Sequence, residues 1–194
     1  LVAEHPSQIP TMWIQGLWDQ EDMWGAIHCY LALKSKGQAD HNYLVMGPWR
    51  HSQVNYDAYN LGPLKWEGDT ALQFRRDVLK PFFDQYLKTA APKTDTPPVF
   101  IYNTGENHWD RLKTWPLACE NGCAAPLKPL FLEASFGLGF EKPNAEAAAD
   151  SYVSDPAKPV PYIPRPVHFT DSDRWKTWLV TDQRTVADRT DVLT

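Results

Sequence analysis

No run of about 18 consecutive apolar residues occurs in the sequence, so it holds no candidate membrane span. Positive charge is scarce as well. The 19 Lys and Arg residues stand against 24 Asp and Glu, and a net charge of −5 leaves no electrostatic footprint for nucleic acid. Cysteine is limited to three residues. Cys29 lies in a helical pattern and reads as a small buried apolar residue. Cys119 and Cys123 flank a turn sequence, where a small disulfide loop would favour an oxidising compartment. No second Cys or His pair stands beside them at zinc-finger spacing, so neither a metal nor a cofactor is expected. Internal repeats are absent too. What remains is 194 residues, 43% hydrophobic and 13% aromatic, enough for a sizeable core in one large domain or two small ones.

The first half alternates strand and helix signals. "PTMWIQGLWD" is an apolar run ending in a carboxylate. "MWGAIHCYLALKSKG" then places Trp24, Ile27, Leu31 and Ala32 or Leu33 at near-helical spacing, and Gly37 stops it. In "HNYLVMGPWRHS", Asn42 to Met46 form a short strand candidate that Gly47-Pro48 breaks. Two short strands joined by a helix imply a right-handed parallel crossover, the repeating unit of α/β sheets. Asp69 is a good N-cap for a helix whose expected apolar face is Leu72, Leu79, Phe82, Phe83 and Tyr86, with Pro81 expected to kink or break it. The Ala, Pro and polar residues of 91–98 read as a linker. Beyond it, "VFIYNTG", "LKPLFLEA" and "DSYVSD" are strand candidates without helical periodicity, while Ala157 to Val167 is too proline-rich for a central strand. The expected organisation is an α/β domain over 1–90, a linker over 91–98, and the opening of an all-β domain over 99–194.

In open α/β sheets functional residues gather past the carboxyl ends of strands, where Asp19 and His51 are predicted to fall. A hydrogen-bonded Asp and His form the orienting half of a nucleophilic triad: the carboxylate fixes the imidazole tautomer and stabilises the imidazolium formed when histidine takes a proton from serine. The third member is missing. No serine sits in a G-x-S-x-G elbow, and "EASFG" around Ser135 has Glu133 in place of the first glycine and follows the histidine, against the order Ser, Asp, His of α/β-hydrolases.

The segments "GLWDQEDMWGA", "LVMGPWRHS" and "VFIYNTGENHWD" together resemble the α-amino acid ester hydrolases, within the wider family of cocaine-esterase-like and X-Pro dipeptidyl-peptidase-like serine hydrolases. The resemblance implies a bacterial enzyme with an α/β-hydrolase domain, a helical cap and a C-terminal jelly roll, periplasmic or secreted, and a homo-oligomer as a whole. It matches Asp19 and His51 to the family's catalytic aspartate and histidine. On that comparison the 194 residues are the end of the hydrolase fold and the start of the jelly roll. They lack the nucleophile, the oxyanion hole and most of the cap, and should be inactive alone. The implied substrates are small molecules, α-amino acid esters and related β-lactam amides. A cocaine-esterase-like, glutaryl-acylase-like or X-Pro dipeptidyl-peptidase-like activity is the alternative, and a noncatalytic β binding fragment is a third.

The resemblance also gives Glu21 and Asp22 a role, as carboxylates that bind the protonated α-amino group of the substrate. An ammonium drawn into a partly dry pocket needs charged partners to offset its desolvation. The competing reading is structural, because acidic residues in a helix's first turn cap free N–H groups and favour its dipole. A calcium loop is excluded, since Trp24 occupies the sixth position from Asp19 where an EF-hand needs glycine. Trp18, Trp24 and Trp49 could line an acyl pocket or simply be core. His28 reads as a satisfied, partly buried histidine and His108 carries no assigned role. Arg50 is either a surface charge or a partner of the carboxylates.

Overall fold

The run Thr11–Gly16 forms strand β1 and Asn42–Gly47 forms β2, paired in parallel with Thr11 opposite Asn42 and Gly16 opposite Gly47 in a computed structural model of the chain. The structure describes residues 2–119, 121, 123, 125–133, 137–144, 151–161, 165–166, 168, 174 and 177–191. Helix α1, Gly25–Ser35, makes the crossover that parallel strands need. It ends where Gly37 turns left-handed at φ 73° and Gln38 donates its N–H back to the Leu33 carbonyl, a glycine stop of the Schellman kind.

A two-strand hairpin, β3 (Asn60–Leu61) with β4 (Leu64–Lys65), precedes the second helical segment. That segment runs as α2 (Thr70–Phe74), a π-helical turn (Arg75–Leu79) and α3 (Lys80–Leu87). Asp69 caps it, its side chain accepting the Leu72 N–H. Pro81 does not break the helix. The wider turn just ahead of it includes Asp77, whose carbonyl the proline ring would otherwise crowd and whose hydrogen bond it cannot complete. The buried face agrees with expectation only in part: Phe82 is buried and Leu79 partly so, but Ala71, Phe74 and Val78 also turn inward, whereas Leu72, Phe83 and Tyr86 are exposed. Small Ala71, fully buried, leaves room for Phe74 and Val78 to pack against the sheet on the same face.

Strand β5, Val99–Asn103, adds in parallel to β2, and β6, His108–Leu112, returns antiparallel to β5, giving the order β1-β2-β5-β6. "VFIYNTG" is therefore a strand, but it joins the first sheet and not a separate β domain, and 91–98 is the connection from α3 into it. The physical reason is burial on both faces. Leu44, Met46 and Val99 pack with Tyr30 of α1, while Val45 and Phe100 pack with Ala71, Phe74 and Val78 on the opposite side. Each such fully buried aliphatic side chain contributes about 1.5–3 kcal/mol.

The chain divides into two compact units, one holding residues up to Trp115 with 169–180, the other 116–168 with 181–194. In the second unit β7 (Ala118–Cys119) pairs with β8 (Ala125–Pro126), and β9 (Phe131–Glu133) with β10 (Gly137–Gly139). Cys119 and Cys123 are disulfide-bonded there. Residues 151–155, within the expected "DSYVSD" strand, are irregular, and Ser135 lies outside the described residues. Among the described residues no helix is long and apolar enough to cross a membrane.

The β2 exit is held by Trp49, which is 1% exposed and donates its indole N–H to the Thr70 hydroxyl at 3.0 Å; that hydroxyl in turn donates to the Ala58 carbonyl. Replacing Thr70 by Val would leave the buried indole N–H without an acceptor. A loss of about 1–3 kcal/mol in unfolding free energy is expected, measured by denaturant titration of the 194-residue chain.

Candidate active site

Strands β1 and β2 end side by side, and backbone pairing continues past their ends: Leu17 donates to the Gly47 carbonyl at 2.9 Å and Trp18 to the Trp49 carbonyl at 3.1 Å. Such closeness needs glycine at both exits. A Cβ on Gly16 would lie 2.6 Å from the Trp49 carbonyl oxygen, and one on Gly47 would meet the Trp49 ring at 2.4 Å. The two loops thus leave the sheet together, one delivering Asp19 and the other His51.

Both Asp19 carboxylate oxygens lie 3.1 Å from His51 Nδ1. Asp19 is mostly buried, its side chain 12% exposed against 39% for His51. Because an ionised carboxylate only accepts, the contact places the proton on Nδ1 and leaves the Nε2 lone pair free to take another. Asp19 Oδ1 also accepts the N–H groups of Glu21 at 2.8 Å and Asp22 at 3.1 Å, which folds "DQED" into a tight turn over the imidazole. Two glutamines unassigned by sequence reasoning complete the frame. Gln20 accepts the His51 N–H through its side-chain oxygen at 3.2 Å, and buried Gln15 donates to the carbonyls of Gly16 and Asp22. Gln20 sits between site carboxylates, so its position was a usable signal; nothing in the sequence pointed to Gln15.

Glu21 and Asp22 are exposed and differ in their partners. Asp22 Oδ1 accepts the N–H groups of Trp24 at 2.9 Å and Gly25 at 2.8 Å, capping the start of α1. Its other oxygen takes no hydrogen bond among the described residues. The Gly25 N–H, then that of Trp24, hold this carboxyl below its ordinary range, with a smaller contribution from the charge of His51. A carboxyl lowered on folding contributes stability above its unfolded value and loses it as pH falls through the folded value. Asp22→Asn is therefore expected to unfold at lower temperature than the wild type near neutral pH, the gap closing from about pH 4 downward as measured by thermal melts across pH. Glu21, by contrast, places Oε2 3.6 Å from His51 Nε2 and makes no side-chain hydrogen bond among the described residues.

The other sequence candidates separate. Trp49 is core, and Trp18 tilts against Trp66 at 5.9 Å. Trp24 precedes α1 and is 66% exposed, so the helix face expected to begin with it begins at Ile27. His28 is exposed, not partly buried; its ring stacks on Trp24 at 3.8 Å and its Nδ1 lies 2.8 Å from the Trp24 carbonyl. Cys29 is half-buried and free. Arg50 turns its guanidinium to the His51 carbonyl at 3.0 Å and not to the carboxylates. His108 is in the β5–β6 hairpin, 2.9 Å from Asp110.

Residues 2–53, which carry β1, the acidic turn, α1, β2 and His51, match the family model described as X-Pro dipeptidyl-peptidase (S15 family). Along 99% of its length the chain is similar to the solved structure of an α-amino acid ester hydrolase labelled with selenomethionine, at 65% identity with a TM-score of 0.87. Over residues 2–53 the chain is similar to the S15 family. The chain is also similar to cocaine esterase of Rhodococcus sp. (strain MB1 Bresler), at 27% identity over 97% of the chain, and to an aminopeptidase from the marine sediment archaeon Thaumarchaeota archaeon, at 46% identity with a TM-score of 0.81 over 99% of the chain. The chain spans about a third of the length of these relatives, 32% of the ester hydrolase, 31% of the cocaine esterase and 31% of the aminopeptidase. Its mixed α/β content with small sheets is consistent with part of an α/β-hydrolase-like enzyme.

Proposed function

We propose that this chain supplies the acid–base half of a serine hydrolase that cleaves α-amino acid esters and related β-lactam amides and can transfer their acyl groups, the nucleophilic serine lying outside the 194 residues. The observation that carries the reading is the Asp19–His51 hydrogen bond at adjoining strand ends, with Nε2 making no hydrogen bond among the described residues and two further carboxylates in the same turn. Asp19 holds the imidazole, His51 takes the serine proton, and Glu21 with the unengaged oxygen of Asp22 binds the substrate's α-ammonium. Alone, the chain is expected to turn over no ester, because His51 has no hydroxyl to deprotonate.

The residues after the four-stranded sheet are read as the opening of a jelly roll. The Cys119–Cys123 disulfide supports a periplasmic or secreted setting. A glutaryl-acylase-like preference is disfavoured, since the acidic turn would repel an anionic acyl chain. The test is substrate choice by the polypeptide that joins this chain to its serine. An α-amino ester should be preferred over the same ester without its amino group by about tenfold or more in kcat/KM, as expected for a paired charge at an interface. Equal values for the two esters would point to a cocaine-esterase-like preference.

A further inference from the structure

We infer that Glu21 is a second carboxylate of the His51 imidazole, so that the side chain proposed to bind substrate ammonium also stabilises the imidazolium formed at Nε2. The inference rests on the serine-hydrolase reading and goes beyond it, because it gives Glu21 a part in the chemistry of every ester, charged or not.

The geometry is that of a ring held between two anions. Asp19 meets Nδ1 at 3.1 Å on one side, and Glu21 Oε2 stands 3.6 Å from Nε2 on the other. The Asp19 carboxylate itself sets this up by accepting the Glu21 N–H at 2.8 Å, which fixes the backbone from which the Glu21 side chain reaches back over the imidazole. Asp22 is placed differently: its Oδ1 accepts the N–H groups of Trp24 and Gly25, and among the described residues it makes no ion pair with the ring. Arg50 turns its guanidinium to the His51 carbonyl.

While His51 is neutral, Nε2 presents a lone pair to Glu21, and two acceptors facing each other gain nothing. In the first step the serine oxygen forms a bond to the ester carbonyl carbon, the carbonyl π pair moves onto its oxygen, and the serine proton moves to Nε2. The same contact then becomes an attraction between a cation and a carboxylate. When the tetrahedral species collapses, the carbon–oxygen bond to the leaving alcohol breaks and the Nε2 proton goes to that oxygen; water repeats the sequence to release the acid. An interaction stronger with imidazolium than with imidazole favours the transition state over the ground state, which is the condition for raising kcat. A substrate ammonium on Glu21 partly neutralises that charge, so amino esters draw on Glu21 mainly for binding, and esters without an amino group draw on it only for turnover.

The test compares Glu21→Gln, Glu21→Lys and His51→Gln in the serine-bearing enzyme, reading kcat and KM separately on an amino ester and its amino-free counterpart. On the amino-free ester, Glu21→Gln should lower kcat about two- to fivefold with KM unchanged, the size expected of an exposed ion pair, and Glu21→Lys should lower it further. On the amino ester, Glu21→Gln should act chiefly on KM. Glu21 is exposed and packs into no core, so these variants should fold. Wild-type kcat on the amino-free ester for both Glu21 variants, alongside an inactive His51→Gln, would overturn this inference alone; an active His51→Gln would overturn the hydrolase reading beneath it.

Discussion

In the serine-bearing enzyme, His51→Gln is expected to lower kcat by four to six orders of magnitude and Asp19→Asn by about 10⁴, in each case for every ester alike, as for members of a serine triad. The two losses have different origins. Glutamine removes the atom that accepts the serine proton. Asparagine keeps the shape of Asp19 but offers an N–H where Nδ1–H needs an acceptor, so the ring takes the wrong tautomer and Nε2 no longer carries a lone pair. KM should change little, because neither residue is proposed to hold the substrate. Steady-state kinetics on two esters of different acyl chain checks this, and a loss confined to one of them would mark the pair as a specificity element.

The second large effect concerns charge recognition. Replacing Glu21 and Asp22 together by Gln and Asn should reduce the preference for an amino ester over its amino-free counterpart by about tenfold or more, since an ammonium stripped of both partners loses its reason to enter the site. Each single replacement should give part of the loss. If both carboxylates served only the start of α1, the double variant would melt at lower temperature and its ratio of kcat/KM values for the two esters would equal that of the wild type. Measuring that ratio below the melting temperature of the double variant separates the two outcomes. Asp22 caps through Oδ1, while its Oδ2 takes no hydrogen bond among the described residues.

Why Asp19 and His51 were legible in the sequence, and Glu21's contact with the imidazole was not, follows from the kind of information each depends on. Asp19 and His51 each follow a short apolar run closed by glycine, and the parallel pairing of those runs brings their ends together. The 3.6 Å approach of Glu21 depends on a turn folded around one carboxylate oxygen, a tertiary detail that periodicity does not encode. The same distinction runs through the fold. β1, α1 and β2 announce themselves by pattern, whereas the assignment of Val99–Asn103 to their sheet depends on long-range pairing with β2. "HWDRL", with charges in its middle, carried no strand signal, and it pairs because β5 offers it a free edge. On the second helical segment Phe82 and Leu79 were legible, but Ala71, Phe74 and Val78 were missed and Leu72, Phe83 and Tyr86 were wrongly included, because a π turn before Pro81 changes the phase of the face along the segment.

The central claim is that Asp19 and His51 act as one unit on a serine proton, and a double-mutant cycle on kcat tests it most directly. If they act together, the variant carrying both Asp19→Asn and His51→Gln should be no slower than His51→Gln alone, because an imidazole that is gone has nothing left to orient. Losses that multiply, or single variants that turn over esters at the wild-type rate, would contradict the account.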